Sequence, residues 1–302
     1  MKGQTGQDIE LILDVHDQIG ESPLWSRSEN ALYWIDVKAR ALFRFEPADG
    51  ATQRWDFPSE IGCFALYQSE RAALVALRSG LFRLDLLDGA LSLLADPPYN
   101  PALYRFNEGE CDGAGRFWLG TMFEPQDHAE HANSAPGQLF YYTTSEGLVP
   151  QPDFSFIPNG LAWSADGATL FFAHSKEHKI YRFEFDVAQG RLGERALFAE
   201  ISPELGVPDG SAVDEEGCYW SAIHGGSRLI RFKPSGEIDR EVMLPVSQPT
   251  MCAFGGPNLD MMFITSASAK LNLLHKVTEP HAGGLYRLRP GVRGLPRHGF
   301  AG

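Results

Sequence analysis

Short runs in which apolar and polar side chains alternate recur along the chain: Ala41-Leu42-Phe43-Arg44-Phe45, Gly80-Leu81-Phe82-Arg83-Leu84, Gln138-Leu139-Phe140-Tyr141-Tyr142, Lys179-Ile180-Tyr181-Arg182-Phe183 and Arg228-Leu229-Ile230-Arg231-Phe232. A period of two marks half-buried strands. Ahead of most of them lies a segment of a second kind, a strand, a tight turn and an aromatic strand, at 25–34, 111–118, 163–172 and 213–220. In three of these the turn runs from Asp or Ser to a Gly three residues on: Asp112 to Gly115, Ser164 to Gly167 and Asp214 to Gly217. A side-chain acceptor first and a positive φ last is what a hairpin with a type I turn and bulge requires.

These units form a repeat. With two divergent copies near Gly62 and Thr250, there are six starts, at about Glu21, Gly62, Asn107, Asn159, Asp209 and Thr250. Their spacing of roughly 40–50 residues is the period of a propeller blade. A four-stranded sheet with two apolar faces cannot bury itself, so blades stack radially, and the repeated aromatics are read as packing between blades. The pattern predicts an all-β, six-bladed β-propeller occupying 1–302 as a single domain. Pairing of the N-terminal run Ile9-Glu10-Leu11-Ile12-Leu13-Asp14-Val15 with Gly284-Leu285-Tyr286-Arg287-Leu288 would close the ring and cover both edges.

Composition narrows the function. The 26 Lys+Arg against 39 Asp+Glu leave a formal charge of −13, the wrong sign for a protein that grips a phosphate backbone, so no nucleic-acid partner is expected. No apolar run reaches ~18 residues and the first residues lack the apolar core of a secretory signal, so no membrane association and a cytoplasmic location are expected. Cys63, Cys111, Cys218 and Cys252 are scattered without a Cys-x-x-Cys pair and are read as reduced, buried thiols. Nucleophile-elbow, phosphate-loop and calcium-loop motifs are missing from the sequence.

The innermost strand of each blade lines the central channel, so equivalent repeat positions form a ring around its mouth. Four of these positions carry oxygen-bearing side chains, Glu21, Asn107, Asn159 and Asp209. Carboxylate and amide oxygens are ligands for hard cations, and several acceptors around one axis without a positive partner would be costly to desolvate. A bound divalent cation resolves that cost, although Asn159-Gly160 and Asp209-Gly210 taken singly read as ordinary turn pairs. Arg105 and Asn107, two apart on an extended segment, face the same side. Arg105 is read either as an ion-pair partner of Glu108 or Glu110 or as a substrate contact. Glu124 opens the loop Phe123 to Pro136 as a rim acid or a solvated charge; as a rim acid it joins Arg105 and Asn107 as a candidate substrate-binding residue. That loop, a possible lid, carries His128 and His131, read as solvated rather than metal-binding. His224 is a second-tier candidate for the mouth, and His174, His178, His275 and His281 are assigned to the surface or to ordinary hydrogen bonding.

At these residues the sequence resembles the SMP-30/gluconolactonase/LRE family. The resemblance runs through Gly20-Glu21-Ser22-Pro23-Leu24-Trp25, Arg105-Phe106-Asn107-Glu108-Gly109, Gly115-Arg116-Phe117-Trp118-Leu119-Gly120-Thr121-Met122, Pro158-Asn159-Gly160-Leu161-Ala162-Trp163-Ser164, Val207-Pro208-Asp209-Gly210 and Thr250-Met251-Cys252-Ala253-Phe254-Gly255-Gly256, to Ala282-Gly283-Gly284-Leu285-Tyr286. It implies a six-bladed propeller holding one divalent metal cation (Ca, Zn, Mn, Mg or Fe) on Glu21, Asn159 and Asp209. It further implies a sugar-lactone substrate held with help from Arg105 and Asn107, and a hydrolase that opens the ring in carbohydrate catabolism, with Asp209 as the catalytic proton acceptor. No protein partner is implied. Two alternatives stand beside it, another metal-dependent ester or phosphoester hydrolase on the same site, and a calcium-binding regulator. The second gains nothing from an arginine beside its metal. A scaffold of the WD40 kind would repeat a Trp-Asp signature at its strand ends blade after blade, whereas here the pair occurs once, at Trp55-Asp56.

Overall fold

The computed structural model of the protein describes residues 8–127, 135–152 and 157–302. Its strands assemble into six four-stranded antiparallel sheets. Five are built from consecutive strands, at 20–56, 61–95, 104–150, 158–200 and 207–243. The sixth takes Pro249–Gly255, Met261–Ser266 and Leu285–Leu288 and completes itself with Glu10–Leu13 from the other end of the chain. That pairing closes the ring as the sequence predicts and covers the edge of the last blade. The expected six-bladed propeller is therefore the observed fold. No helix among the described residues is long and apolar enough to cross a membrane.

Aromatic residues do hold neighbouring blades together. Trp25 of the first blade stacks on Phe263 of the sixth at 5.5 Å and 6°. Trp118 meets Trp163 edge-on at 6.2 Å across the third and fourth blades, and Trp220 meets Phe254 at 6.4 Å across the fifth and sixth. The turns that open the hairpins are tied to the same aromatics. Asp112 Oδ2 accepts from the indole N–H of Trp118 and Asp214 Oδ2 from that of Trp220, each at 2.8 Å. Their Oδ1 atoms meanwhile accept backbone N–H groups of the turn. Gly115 and Gly217 end these turns with φ of 82° and 75°, where a side chain would be strained. One aspartate thus sets both the turn and the orientation of an interblade tryptophan. The four cysteines are free and buried, as expected.

The inner strands are Gly20–Ser26, Ile61–Leu66, Tyr104–Cys111, Pro158–Trp163, Val207–Val213 and Pro249–Gly255, and they touch one another around the channel. At the far end of the channel the C-terminal segment lies across the blades, bridging Asp214 to Gly294, Cys111 to His298 and Tyr67 to Phe300. Arg297 donates to the Ser211 carbonyl at 3.0 Å and stands 3.6 Å from Glu110.

Candidate metal and substrate site

Each inner strand breaks its pairing register near its start: between Glu21 and Leu24, Ile61 and Cys63, Phe106 and Gly109, Asn159 and Ala162, Pro208 and Ser211, and Pro249 and Met251. A bulge re-aims a side chain that the regular pleat would point elsewhere, and here it does so at the repeat starts. Ser22 and Gly160, each following a ring residue, are left-handed with φ of 51° and 61°. The consequence is convergence: Glu21, Arg105, Asn107, Asn159 and Asp209 all line one cavity of about 210 Å³ at the channel mouth. A larger cavity, of about 930 Å³, lies at the other ends of the inner strands and is lined by none of them; size does not select the site, chemistry does. At the equivalent ring positions the second and sixth blades supply no carboxylate or amide. Gly62 has no side chain, and a Cβ there would lie 2.2 Å from the Phe106 carbonyl, while the Thr250 hydroxyl is engaged by the Gly20 carbonyl at 2.5 Å.

The amides are fixed by a directional hydrogen-bond relay across three blades. Arg105 Nη1 donates to Asn107 Oδ1 at 2.9 Å, Asn107 Nδ2 donates to Asn159 Oδ1 at 2.7 Å, and Asn159 Nδ2 donates to Ser175 Oγ at 2.9 Å. Ser175 in turn donates to the Pro208 carbonyl at 2.6 Å. Because the serine proton is committed to that carbonyl, its oxygen must accept from the amide nitrogen of Asn159, and Asn159 Oδ1 is left facing Asn107. Arg105 also donates through Nε to Glu124 Oε2 at 2.8 Å. Of the two readings of Arg105, this corrects the ion-pair one, whose acid is Glu124 and not Glu108 or Glu110. Glu108 instead accepts the backbone N–H groups of Gly160 and Leu161 at 2.8 and 2.7 Å, because the bulge between Phe106 and Gly109 turns it toward the fourth blade. Glu110 faces Arg297.

Glu124 is not among the side chains that line the cavity. It binds Lys38 at 2.9 Å, Arg78 at 2.8 Å and Arg105 at 2.8 Å. Burial opposes its charge, but the charges of Arg105 and Lys38 hold its carboxyl down at about 2. The ring carboxylates have no such company: among the described residues neither Glu21 nor Asp209 forms an ion pair. Burial pushes Glu21 up to about 7, against the opposing bond from the Ser22 N–H. Burial, then the charges of Glu21 and Glu108, push Asp209 well above the usual carboxylate range. Burial and Glu21 likewise push Glu108 up to about 8. A cluster of this kind is short of positive charge.

A hard cation fits that deficit, since the donors are two carboxylates and an amide oxygen. Among the described residues no three His, Cys, Asp or Glu side chains come together as a ligand set, so a cation here would need the amide oxygen of Asn159 as well as the two carboxylates. His224 also lines the cavity, as its position before Gly225-Gly226 suggests, and so do Gln248 and Lys270. His174 and His178 are bonded to Glu177 and to the Gly206 carbonyl, His281 to Asp14, and neither they nor His275 line it. His128 and His131 lie outside the described residues, as does half of the loop read as a lid. The sequence pattern misses Ser175, Lys38, Arg78, Gln248 and Lys270. Only Ser175 leaves a trace, following His174 at the end of the strand paired with Pro158.

Residues 19–268 match the model of the SMP-30/gluconolactonase/LRE-like region. A 6-deoxy-6-sulfogluconolactonase of Pseudomonas putida is 36% identical over 94% of this chain and 95% of its own. Regucalcin of Gallus gallus is 32% identical over 97% of this chain and 98% of its own. Among solved structures, a calcium-binding regucalcin from Agrobacterium tumefaciens superimposes with a TM-score of 0.88 at 25% identity, covering 98% of this chain and 97% of its own.

Proposed function

The chain belongs to the SMP-30/gluconolactonase/LRE-like family, and from that membership we propose that it is a lactonase, opening the ring of sugar-acid lactones with the help of one divalent cation held by Glu21, Asn159 and Asp209. The observation that carries the reading is the meeting of two carboxylates without an ion pair, the buried Asp209 and the half-buried Glu21, and an oriented amide with Arg105 and Asn107 in one cavity. A pure cation site has no use for the guanidinium; a site that must stabilise a developing oxyanion does. All-oxygen donors suit calcium, magnesium or manganese, and zinc or iron would load by availability.

When bound, the cation supplies Lewis-acid polarisation of the ester carbonyl and lowers the pKa of water. Asp209 accepts a proton from the attacking water as the water oxygen bonds to the carbonyl carbon. The ester C–O bond then breaks, the ring oxygen takes a proton as a hydroxyl, and the product is an open-chain hydroxy acid. Arg105 holds the carbonyl oxygen as negative charge develops there, and Asn107, whose amide protons are given to the Pro158 carbonyl and Asn159, accepts from a sugar hydroxyl through Oδ1. Glu124 acts behind them, holding the arginine in place. Lactones of this class arise by oxidation of an aldose at its anomeric carbon, which places the reaction in carbohydrate catabolism.

The test is proton release from a panel of aldonolactones, first with chelated protein and then with each metal restored. Turnover that returns with metal supports the reading. One tightly bound metal per chain with no turnover of any lactone would move the function to a cation-binding regulator or to another ester hydrolase.

A further inference from the structure

The cavity is polar in two separate places. At its floor Asn159 and Asp209 are only 6% and 7% exposed. At its rim, from the fifth and sixth blades, stand His224, Gln248 and the exposed Lys270. Lys270 sits on a fixed loop, not a free one. Ser268 N–H donates to the Asp17 carbonyl and Ala269 N–H to the Gln18 carbonyl, at 3.1 and 2.9 Å. Gln248 Nε2 reaches the Ala269 carbonyl at 3.3 Å, and Lys270 itself is left-handed with φ of 61°.

Two cationic side chains line the cavity, and they are in different states. Arg105 is committed to Glu124 and Asn107. Lys270 has no acidic partner among the described residues. In a chain with a formal charge of −13, an unpaired ammonium at the mouth of an acidic pocket is a steering and binding element for negative charge. His224 adds no second charge there, since burial and the neighbouring lysine lower its pKa while Gln248 holds the ring by a hydrogen bond.

We propose that Lys270, flanked by Gln248 and His224, binds an anionic substituent of the lactone, a sulfonate or a phosphate carried on the carbon far from the reacting carbonyl. This rests on the lactonase reading, which puts the carbonyl at the floor beside Asp209. A cavity of about 210 Å³ accommodates a single sugar ring, so the opposite end of that ring emerges at the rim.

The experiment compares gluconolactone, 6-phosphogluconolactone and 6-deoxy-6-sulfogluconolactone as substrates of the metal-loaded protein, and the three open-chain acids as ligands in calorimetry. Each is measured for the natural chain, Lys270→Gln and Lys270→Arg. The expected result is a preference of about tenfold for both charged compounds over the neutral one, weakened by salt, lost in Lys270→Gln and kept in Lys270→Arg. Equal handling of neutral and charged compounds by the natural chain would overturn the proposal. So would a preference that survives Lys270→Gln, including one confined to phosphate, which would place the anion on the metal. Lysine-dependent binding of the sulfonated acid without turnover of any lactone would keep the anion site and remove the lactonase reading. Turnover with no dependence on Lys270 would do the reverse.

Discussion

Asn107 donates a 2.7 Å hydrogen bond to Oδ1 of Asn159 across the boundary between the third and fourth blades. The proposed substrate contact and the proposed metal ligand are therefore mechanically joined, and the orientation of both depends on Ser175 at the end of the relay. Ser175→Ala frees the Asn159 amide to rotate. Metal affinity is expected to fall about 10- to 100-fold, with turnover recovering at saturating metal. Titration of the chelated variant measures the first, and activity against metal concentration the second. A variant whose metal affinity is unchanged would make Ser175 a packing residue only.

Glu124 anchors Arg105 together with Lys38 and Arg78. Glu124→Gln leaves buried positive charge without its partner and is expected to destabilise the fold by about 3 kcal/mol, while lowering kcat/KM more than it alters metal content. The acid limb adds a second check. The Glu124 carboxyl is held down at about 2, below its ordinary 4.5, so its contribution is complete above pH 4.5 and is lost as pH falls toward 2. Acid unfolding of Glu124→Gln should accordingly be less steep between these limits than that of the natural chain.

Asp17 runs the opposite way. Buried beside Asp36 and accepting the Trp34 indole N–H at 2.9 Å, its carboxyl is pushed up to about 8 by burial and then by the Asp36 charge. The folded state favours its protonated form, so the cost of this residue grows as pH rises from 3.8 to about 8. Asp17→Asn keeps an acceptor for Trp34 and removes the titration. Its stability gain in denaturant unfolding should be about 4 kcal/mol larger at pH 8 than at pH 5. Asp17→Ala removes the same titration but orphans the indole N–H, and should be less stable than Asp17→Asn at both.

The strand repeat and the ring positions are legible in the sequence for a physical reason. A blade must present the same alternation and the same turn chemistry each time, and Glu21, Asn159 and Asp209 stand out because they occupy equivalent places in that pattern. The partner of Arg105 is not legible, because alternation along a strand says nothing of a bulge. The register shift between Phe106 and Gly109 sends Glu108 to the fourth blade, and the acid that meets Arg105 comes from beyond the end of the paired strand. Lys38, Arg78 and Lys270 project from connections between strands, where no period fixes direction.

The most direct measurement is metal content after equilibrium dialysis, taken together with lactone turnover, for the natural chain, Glu21→Gln and Asp209→Asn, with circular dichroism to confirm the fold. One divalent cation per chain is expected in the natural protein, with affinity reduced by about 100-fold or more in both variants and turnover lost alongside it. Full lactone turnover by Asp209→Asn, or undiminished turnover by chelated protein, would contradict the account.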